Sequence, residues 1–80
     1  MRESLRQKRS EKLTRLLVEA RKEAGMTQAE VAARLGHGQA YVSKYERGKK
    51  VLGVIEFIEV AEALGLDPAE VVRKLRQGEG

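Results

Sequence analysis

The stretch that decides the fold is QAEVAARLGHGQAYVSKYER, residues 28 to 47. Its apolar residues follow helical spacing in two groups, first Val31, Ala32 and Leu35 and then Val42 and Tyr45. Between the groups lies Gly36, the residue type that ends a helix in the left-handed conformation without a Cβ penalty. Ala32 is small at the point where the two helices would cross closely. The stretch therefore predicts a helix-turn-helix.

Helix-start signals recur along the rest of the chain. Thr27 with Glu30 forms a T-x-x-E capping box, and Asp67 with Glu70 repeats it with a proline at the first helical position. A weaker version is Gly53 with Glu56. These signals predict helices at 28 to 35, 39 to 47, 54 to 64 and 68 to 76.

A further helix precedes these four. Its inward stripe has helical spacing and ends at Gly25, with members Leu13, Leu16, Leu17, Ala20 and Ala24. Its start is open between two caps, Ser10 and Ser4. No alternating strand pattern competes, so we predict an all-α, five-helix orthogonal bundle over residues 10 to 76. Residues 1 to 9 form a basic N-terminal arm, and residues 77 to 80 a frayed tail.

Composition fits one small domain. Eighty residues suffice for one core, although a chain of this size buries only about 60% of its unfolded surface. The chain has no Cys, which excludes disulfides and thiolate metal sites and suits a reducing cytosol. Its apolar runs fall short of the ~20 residues of a membrane span. The charged N-terminus has no apolar run behind it, so no signal peptide is expected.

Charge is unevenly placed. Residues 1 to 15 carry six Lys and Arg against two Glu, which accounts for the whole net charge of +4. Farther along, Lys44, Arg47, Lys49 and Lys50 surround the second helix of the motif, whereas residues 51 to 72 carry five acids and no base. Such a dipole would orient the protein toward a polyanion. Taken alone, the asymmetry suits plain solubility equally well.

The chain resembles the DNA-binding domains of the Xre family, the Cro-like and lambda-repressor-like regulators of bacteria and phages. The resemblance runs roughly from Leu13 to Leu75 and rests on Gln28, Ala32, Gly36, Val42, the Tyr45 to Lys49 exit, the Ala61 to Gly65 run and Asp67 with Pro68. The chain departs from the family pattern at His37 and Tyr45, and no proline follows Lys49. The resemblance implies a lambda-repressor-like fold and a sequence-specific transcriptional regulator that binds double-stranded DNA.

The resemblance also implies which residues read bases. With Val42 and Tyr45 inward, the recognition helix at about 39 to 47 turns four residues outward and places Tyr41 at its flank; the outward four are Gln39, Ala40, Ser43 and Lys44. These positions would meet base edges in the major groove. Gln pairs with adenine, Ala touches a thymine methyl, and Lys donates to guanine. Tyr41 and Lys44 are each open to a base or a phosphate.

Phosphate contacts are expected at both ends of the motif, from Gln28, Arg47, Gly48, Lys49 and Lys50. Gln28 opens its helix, where the dipole favours an anion. Gly48 could also simply end the helix, and this role is compatible with a phosphate contact from its backbone. The arm, with its cations Arg2, Arg6, Lys8 and Arg9, either follows DNA or only keeps the chain soluble.

Catalysis is not expected. His37 is the single histidine, and no nucleophile set or metal-ligand cluster follows from the spacing. We therefore assign no catalytic residue, metal, cofactor or small-molecule ligand. The expected partners are DNA and a second copy of the chain, since a single recognition helix reads too few base pairs to find one site in a genome. The homodimer would bind a palindromic operator and meet through helices 4 and 5, where Ile55, Val60 and Val72 leave apolar surface.

Two other functions use the same motif. The chain could be an antitoxin that binds its operator and a partner toxin, although the domain leaves no obvious extension to wrap a partner. It could also be a controller protein of a restriction-modification system. All three functions predict a bacterial or phage-encoded protein at the nucleoid in the cytoplasm. The operator, the regulated genes and the sign of regulation are not encoded in these patterns.

Overall fold

Five helices make up the chain in the computed structural model, which describes residues 4 to 77. They are α1 (Leu5–Glu23), α2 (Gln28–Leu35), α3 (Gln39–Glu46), α4 (Val54–Ala63) and α5 (Pro68–Arg76). The predicted all-α, five-helix fold is confirmed, and each of the last four helices lies within one residue of its predicted bounds. Helices α2 and α3 form the helix-turn-helix. Helix α1 packs against α3 on one side and against α5 on the other.

Helix α1 begins at the earlier of its two candidate caps. The Ser4 hydroxyl accepts a hydrogen bond from the backbone N–H of Gln7 at 3.0 Å. Residues 5 to 9 are therefore the first turns of α1, so the described part of the predicted arm is helical. Residues 1 to 3, which include Arg2, lie outside the described residues. So do residues 78 to 80 of the predicted tail, and Gln77 is the C-cap of α5.

The predicted helix caps form with one exception. At α2 both capping-box bonds are present, from Glu30 N–H to the Thr27 hydroxyl (3.1 Å) and from Thr27 N–H to the Glu30 carboxylate (2.8 Å). At α5 the Asp67 carboxylate instead accepts from the N–H of Ala69 (3.0 Å), and Glu70 pairs with Arg73. The prediction that the Glu70 carboxylate accepts from the Asp67 backbone N–H is wrong, because Arg73, one turn farther along α5, attracts that carboxylate.

The core lies where α1, α2, α3 and α4 meet. Its most buried large side chains are Leu17, Val31, Val42 and Val60. A second cluster under α5 joins Phe57, Ala61 and Val71. The prediction that Val60 leaves apolar surface for a partner is wrong, because its side chain is 0% exposed. Val60 and Leu64 belong to the cluster that contains Val31 and Val42, so this side of α4 covers the helix-turn-helix.

The turn between α2 and α3 closes as the sequence predicts. Gly36 has φ +71°, and its N–H donates to the Ala33 carbonyl at 3.2 Å. The next N–H, of His37, reaches back to the Ala32 carbonyl at 2.9 Å. Ala32 itself is 2% exposed, so its methyl side chain fills the crossing point of the two helices. This crossing fixes the orientation of α3 on the body of the protein.

Candidate nucleic-acid interface

One side of α3 is free of core contacts. Gln39, Ala40 and Lys44 are exposed and Ser43 is half-buried, whereas Val42 and Tyr45 are almost completely buried. The structure therefore brings the four outward residues predicted for base contact onto one face, because the inward pair faces α1 and α2. An exposed face with an amide, a methyl, a hydroxyl and an ammonium group offers the donors and acceptors that base edges require.

The Gln39 side chain is positioned by a chain of hydrogen bonds. Its Nε2 donates to Oε1 of Gln28 (3.3 Å), and the Gln28 Nε2 donates to the Glu46 carboxylate (2.9 Å). The predicted phosphate contact Gln28 thus uses its side-chain amide to join the starts of α2 and α3. Its backbone N–H and that of Ala29 belong to the first turn of α2, where no carbonyl within the helix is available to them. These amides suit an anion.

A half-buried ion pair ends that chain of hydrogen bonds. The Arg21 guanidinium donates to both oxygens of Glu46, at 2.7 and 3.0 Å, and its third donor reaches the Met26 carbonyl at 3.0 Å. The two side chains are only 13% and 6% exposed. Hydrogen bonding to Glu46 raises the pKa of Arg21, against the opposing effect of burial. The sequence did not indicate this pair, since Arg21 lies outside the apolar stripe of α1 and 25 positions separate it from Glu46.

The exit from α3 is closed by its own backbone. Gly48 has φ +72°, and its N–H donates to the Tyr45 carbonyl at 3.1 Å. The N–H of Lys49 donates to the Lys44 carbonyl at 2.8 Å. The helix-stop role of Gly48 is therefore visible, and the amide expected to meet a phosphate is already in use. Arg47 folds back too, with Nε donating to the Ser43 carbonyl at 3.3 Å.

The two lysines beyond the exit differ in their surroundings. Lys49 is exposed, whereas Lys50 is half-buried. The Lys50 ammonium lies 3.4 Å from the Glu56 carboxylate and 5.3 Å from the centre of the Tyr41 ring. An ammonium held by a carboxylate and an aromatic face must give up part of this environment to meet a phosphate. Lys49 is thus the better placed of the two predicted phosphate contacts.

Tyr41 lies at the flank of α3 and is held from several sides. Its hydroxyl donates to the Glu56 carboxylate at 3.2 Å, and its ring stacks on His37 with centroids 3.9 Å apart and planes 6° apart. Burial, and then the negative charge of Glu56, raises the pKa of Tyr41 to about 12. The bond from the Gly53 amide, and then the pairing with Lys50, lowers the pKa of Glu56.

Tyr45 has a buried hydroxyl with no hydrogen-bond partner in the described part of the chain. The residue is 2% exposed, and its ring meets that of Tyr41 edge to face at 5.9 Å. Burial, and then the nearby Glu46 carboxylate, raises the pKa of Tyr45 to about 12. Here the departure from the aliphatic family pattern keeps the packing and adds an unpaired polar group.

The described basic residues of the predicted N-terminal arm lie on α1. Arg6, Lys8 and Arg9 are exposed on its first turns. Lys12 donates to the Lys74 carbonyl at 2.9 Å and so ties α1 to the last turn of α5. Among residues 4 to 77, no group of three or more His, Cys, Asp or Glu could hold a metal ion, and no helix is long and apolar enough to cross a membrane.

A short helix with an exposed polar face, crossed by a second helix and flanked by cations, defines a DNA-binding helix-turn-helix protein. The helix-turn-helix family model HTH_3 matches residues 17 to 71. The chain belongs to this Xre, Cro and lambda-repressor-like family of DNA-binding transcriptional regulators, which are not enzymes.

Known relatives agree with this assignment. The chain is 48% identical over 52 residues to the uncharacterized HTH-type transcriptional regulator y4dJ of Sinorhizobium fredii, an alignment that covers 65% of the chain and 68% of y4dJ. It is 36% identical to the regulator y4dL of the same organism over 84% of the chain but only 34% of y4dL. The chain thus spans about a third of the length of y4dL.

Solved structures show the same fold. An XRE-family like protein from Pseudomonas syringae superposes with a TM-score of 0.81 at 48% identity, covering 84% of this chain and 82% of that one. The clp gene regulator ClgR of C. glutamicum superposes with a TM-score of 0.74 at 30% identity, covering 84% and 87%. The lambda-repressor-like architecture predicted from the sequence is confirmed.

The two tyrosines make an alkaline titration informative. Each has a folded-state pKa of about 12 against an ordinary value of 10.0, so the neutral hydroxyl is favoured in the folded protein. The stability they contribute is fully present below pH 10 and is lost as the pH rises toward 12. Because Tyr41 and Tyr45 are the only tyrosines and Trp is absent, tyrosinate absorbance reports on these two residues. We expect a midpoint near 12 that coincides with loss of helical circular dichroism; a midpoint near 10 in the folded chain would contradict this.

Proposed function

We propose that the chain is a sequence-specific regulator that binds an operator in double-stranded DNA as a homodimer, with α3 of each copy in the major groove. This proposal is supported by the series of hydrogen bonds that runs from Arg21 through Glu46 and Gln28 to Gln39. This series presents an amide on the exposed face of α3 at a defined position. The protein would act at the nucleoid, in the cytoplasm of a bacterium.

Gln39 is the residue best prepared to read a base. One of its two N–H donors is used by Gln28, which leaves the second N–H and the carbonyl oxygen. Those two groups match the N7 acceptor and the N6 donor of adenine. Ala40, Ser43 and Lys44 would extend the reading along the groove. Tyr41 lies beside them, with its hydroxyl on Glu56.

Phosphates would be held on both flanks of the groove. On one flank are the first backbone amides of α2 at Gln28 and Ala29, which the helix dipole favours for an anion. On the other are the side chains of Arg47, Lys49 and Lys50. The exposed cations on the first turns of α1 would add long-range attraction.

The second copy would cover the apolar surface just beyond the α3 exit. Val51, Val54 and Ile55 are 89%, 74% and 69% exposed, and we call these three residues the α4-start patch. They follow Lys49 and Lys50 directly, so a two-fold contact here would set two recognition helices side by side along DNA. The nearby Glu56 carboxylate is balanced within its own chain by Lys50. Val72 on α5, 45% exposed, would lie at the margin of such a contact.

Replacement of Lys49 tests the phosphate contacts. Lys49→Ala should weaken binding to all DNA sequences similarly and reduce the slope of log K against log salt by about 0.9 for each bound chain, because one phosphate is no longer neutralised. Lys50→Ala should reduce it less, since its ammonium is shared with Glu56. Lys74→Ala on α5 removes the same charge as a control. Fluorescence anisotropy over a salt series measures the slopes, and an unchanged slope for Lys49→Ala removes Lys49 from the phosphate contacts.

Replacement of Gln39 tests base reading. Gln39→Ala should cost roughly 1–3 kcal/mol on the preferred site and much less on random DNA. Lys44→Ala should lose sequence preference in the same sense. The control is Gln7→Ala, an exposed amide on α1, and circular dichroism verifies that each variant folds. Equal losses on the preferred and random sequences would mean that Gln39 positions the protein without reading a base.

The homodimer is tested by sedimentation at rising protein concentration, with and without operator. We expect weak association that operator strengthens, with half-site centres about 34 Å apart. Ile55→Ser should abolish the association, because it removes the centre of the α4-start patch, and Val72→Ser should weaken it less. One chain bound per full operator would contradict the homodimer.

A further inference from the structure

A side-chain hydrogen bond joins the recognition helix to α4. The hydroxyl of Tyr41, on the half-buried flank of α3, donates to Oε2 of Glu56 at 3.2 Å. Glu56 lies in the first turn of α4, and the backbone between the two helices follows the turn at Gly48 and the segment to Gly53. This bond therefore crosses directly between two helices that are otherwise connected by a loop.

The same carboxylate also fixes where α4 begins. Its Oε1 accepts the backbone N–H of Gly53 at 3.0 Å, which caps the helix, while Oε2 accepts from Tyr41. Lys50 neutralises the group from 3.4 Å. With each oxygen held by a different partner, Glu56 cannot turn without breaking either the cap or the bridge. The direction of α4 is thus tied to the position of Tyr41.

The ring of Tyr41 is fixed on the α3 side. His37, in the turn before α3, stacks on it almost in parallel, and Tyr45 meets it edge to face. Rings at these separations are in van der Waals contact and in favourable aromatic geometries. Tyr41 consequently forms a rigid link between the helix-turn-helix and the start of α4. We call the Tyr41–Glu56 hydrogen bond, with the ring that carries it, the strut.

Val54 and Ile55, two members of the α4-start patch, immediately precede Glu56 and are exposed. We propose that the Tyr41–Glu56 bond sets the angle between the recognition helix and the patch, which makes Tyr41 a positioning residue for operator half-site spacing. This inference rests on the proposed homodimer. It assigns to Tyr41 a role in the distance between two recognition helices, rather than in the reading of a base.

The energetic consequence follows from linkage between two binding events. When one copy is bound to its half-site, a rigid strut keeps its α4-start patch in a fixed orientation. Binding of the second copy to this patch then costs less conformational entropy. Without the strut, the start of α4 can shift relative to α3, although Val60 and Leu64 keep the rest of α4 in the core beside Val42. The dimer then gains less affinity from correctly spaced half-sites and loses less affinity when the half-sites are incorrectly spaced.

The test uses two tyrosine variants that each lose one hydroxyl. Tyr41→Phe removes the bonded hydroxyl and keeps the ring, and Tyr45→Phe removes the hydroxyl that has no partner. Each is measured on a single half-site, on the full operator, and on an operator with one base pair inserted between half-sites. Binding isotherms and sedimentation give affinity and stoichiometry. Glu56→Gln, which keeps an oxygen for the Gly53 cap, is a second variant: it replaces the charged acceptor of the Tyr41 bond with a neutral amide and so weakens the same strut.

We expect Tyr41→Phe to bind the half-site within about twofold of the unmodified chain and to lose about tenfold on the full operator, as for a hydrogen bond to a charged group. Its penalty for the inserted base pair should shrink, and Glu56→Gln should behave alike. Tyr45→Phe should match the unmodified chain. An equal loss on half-site and full operator would overturn the inference, because Tyr41 would then contact DNA directly. Identical behaviour of Tyr41→Phe and Tyr45→Phe, while dimers still form, would also overturn the inference. If only one unmodified chain binds per operator, the proposed homodimer itself is wrong.

Discussion

The ion pair between Arg21 and Glu46 is the interaction on which the exposed face of α3 depends. It joins α1 to the last turn of α3, and Glu46 also holds Gln28, which in turn holds Gln39. Losing one member leaves the other charge uncompensated in a half-buried site, at a cost of up to about 3–5 kcal/mol, the value for a fully buried pair. That is a large share of the 5–15 kcal/mol that stabilises a typical domain. Orientation of the Gln39 amide and stability of the bundle are therefore supported by the same two charges.

Helix α3 needs such support because it is short. Its eight residues are fewer than the ~12–15 at which an isolated helix becomes even marginally stable in water. It has a glycine as N-cap, without a side-chain hydrogen bond. Contacts on both flanks compensate: the Arg21–Glu46 pair on one side, and the Tyr41 contacts with His37 and Glu56 on the other. Its outward face is consequently not needed for packing of the core.

The helices could be predicted from local chemistry, since caps, glycines and apolar spacing act over a few residues. Thr27 and Glu30 at α2 and the left-handed Gly36 are found as expected. The side-chain networks could not be predicted, because Arg21 and Glu46, like Tyr41 and Glu56, come together only when the helices pack. The expected exposure of Val60 was wrong for a related reason: helical spacing places it beside the core stripe, and only the tilt of α4 decides that it is covered. The base and phosphate contacts stay predictions.

The side chains of two exposed residues of α3 take no part in the hydrogen bonds that hold the described part of the fold together. Ala40 and Lys44 are exposed, and the Lys44 side chain makes no hydrogen bond within the part of the chain that the structure describes. Substitutions at such positions generally change stability by less than about 0.5 kcal/mol. A lineage could therefore exchange these residues one at a time and drift to a new operator while the bundle stays intact. Duplicated copies of such a gene could diverge in target long before they diverge in fold.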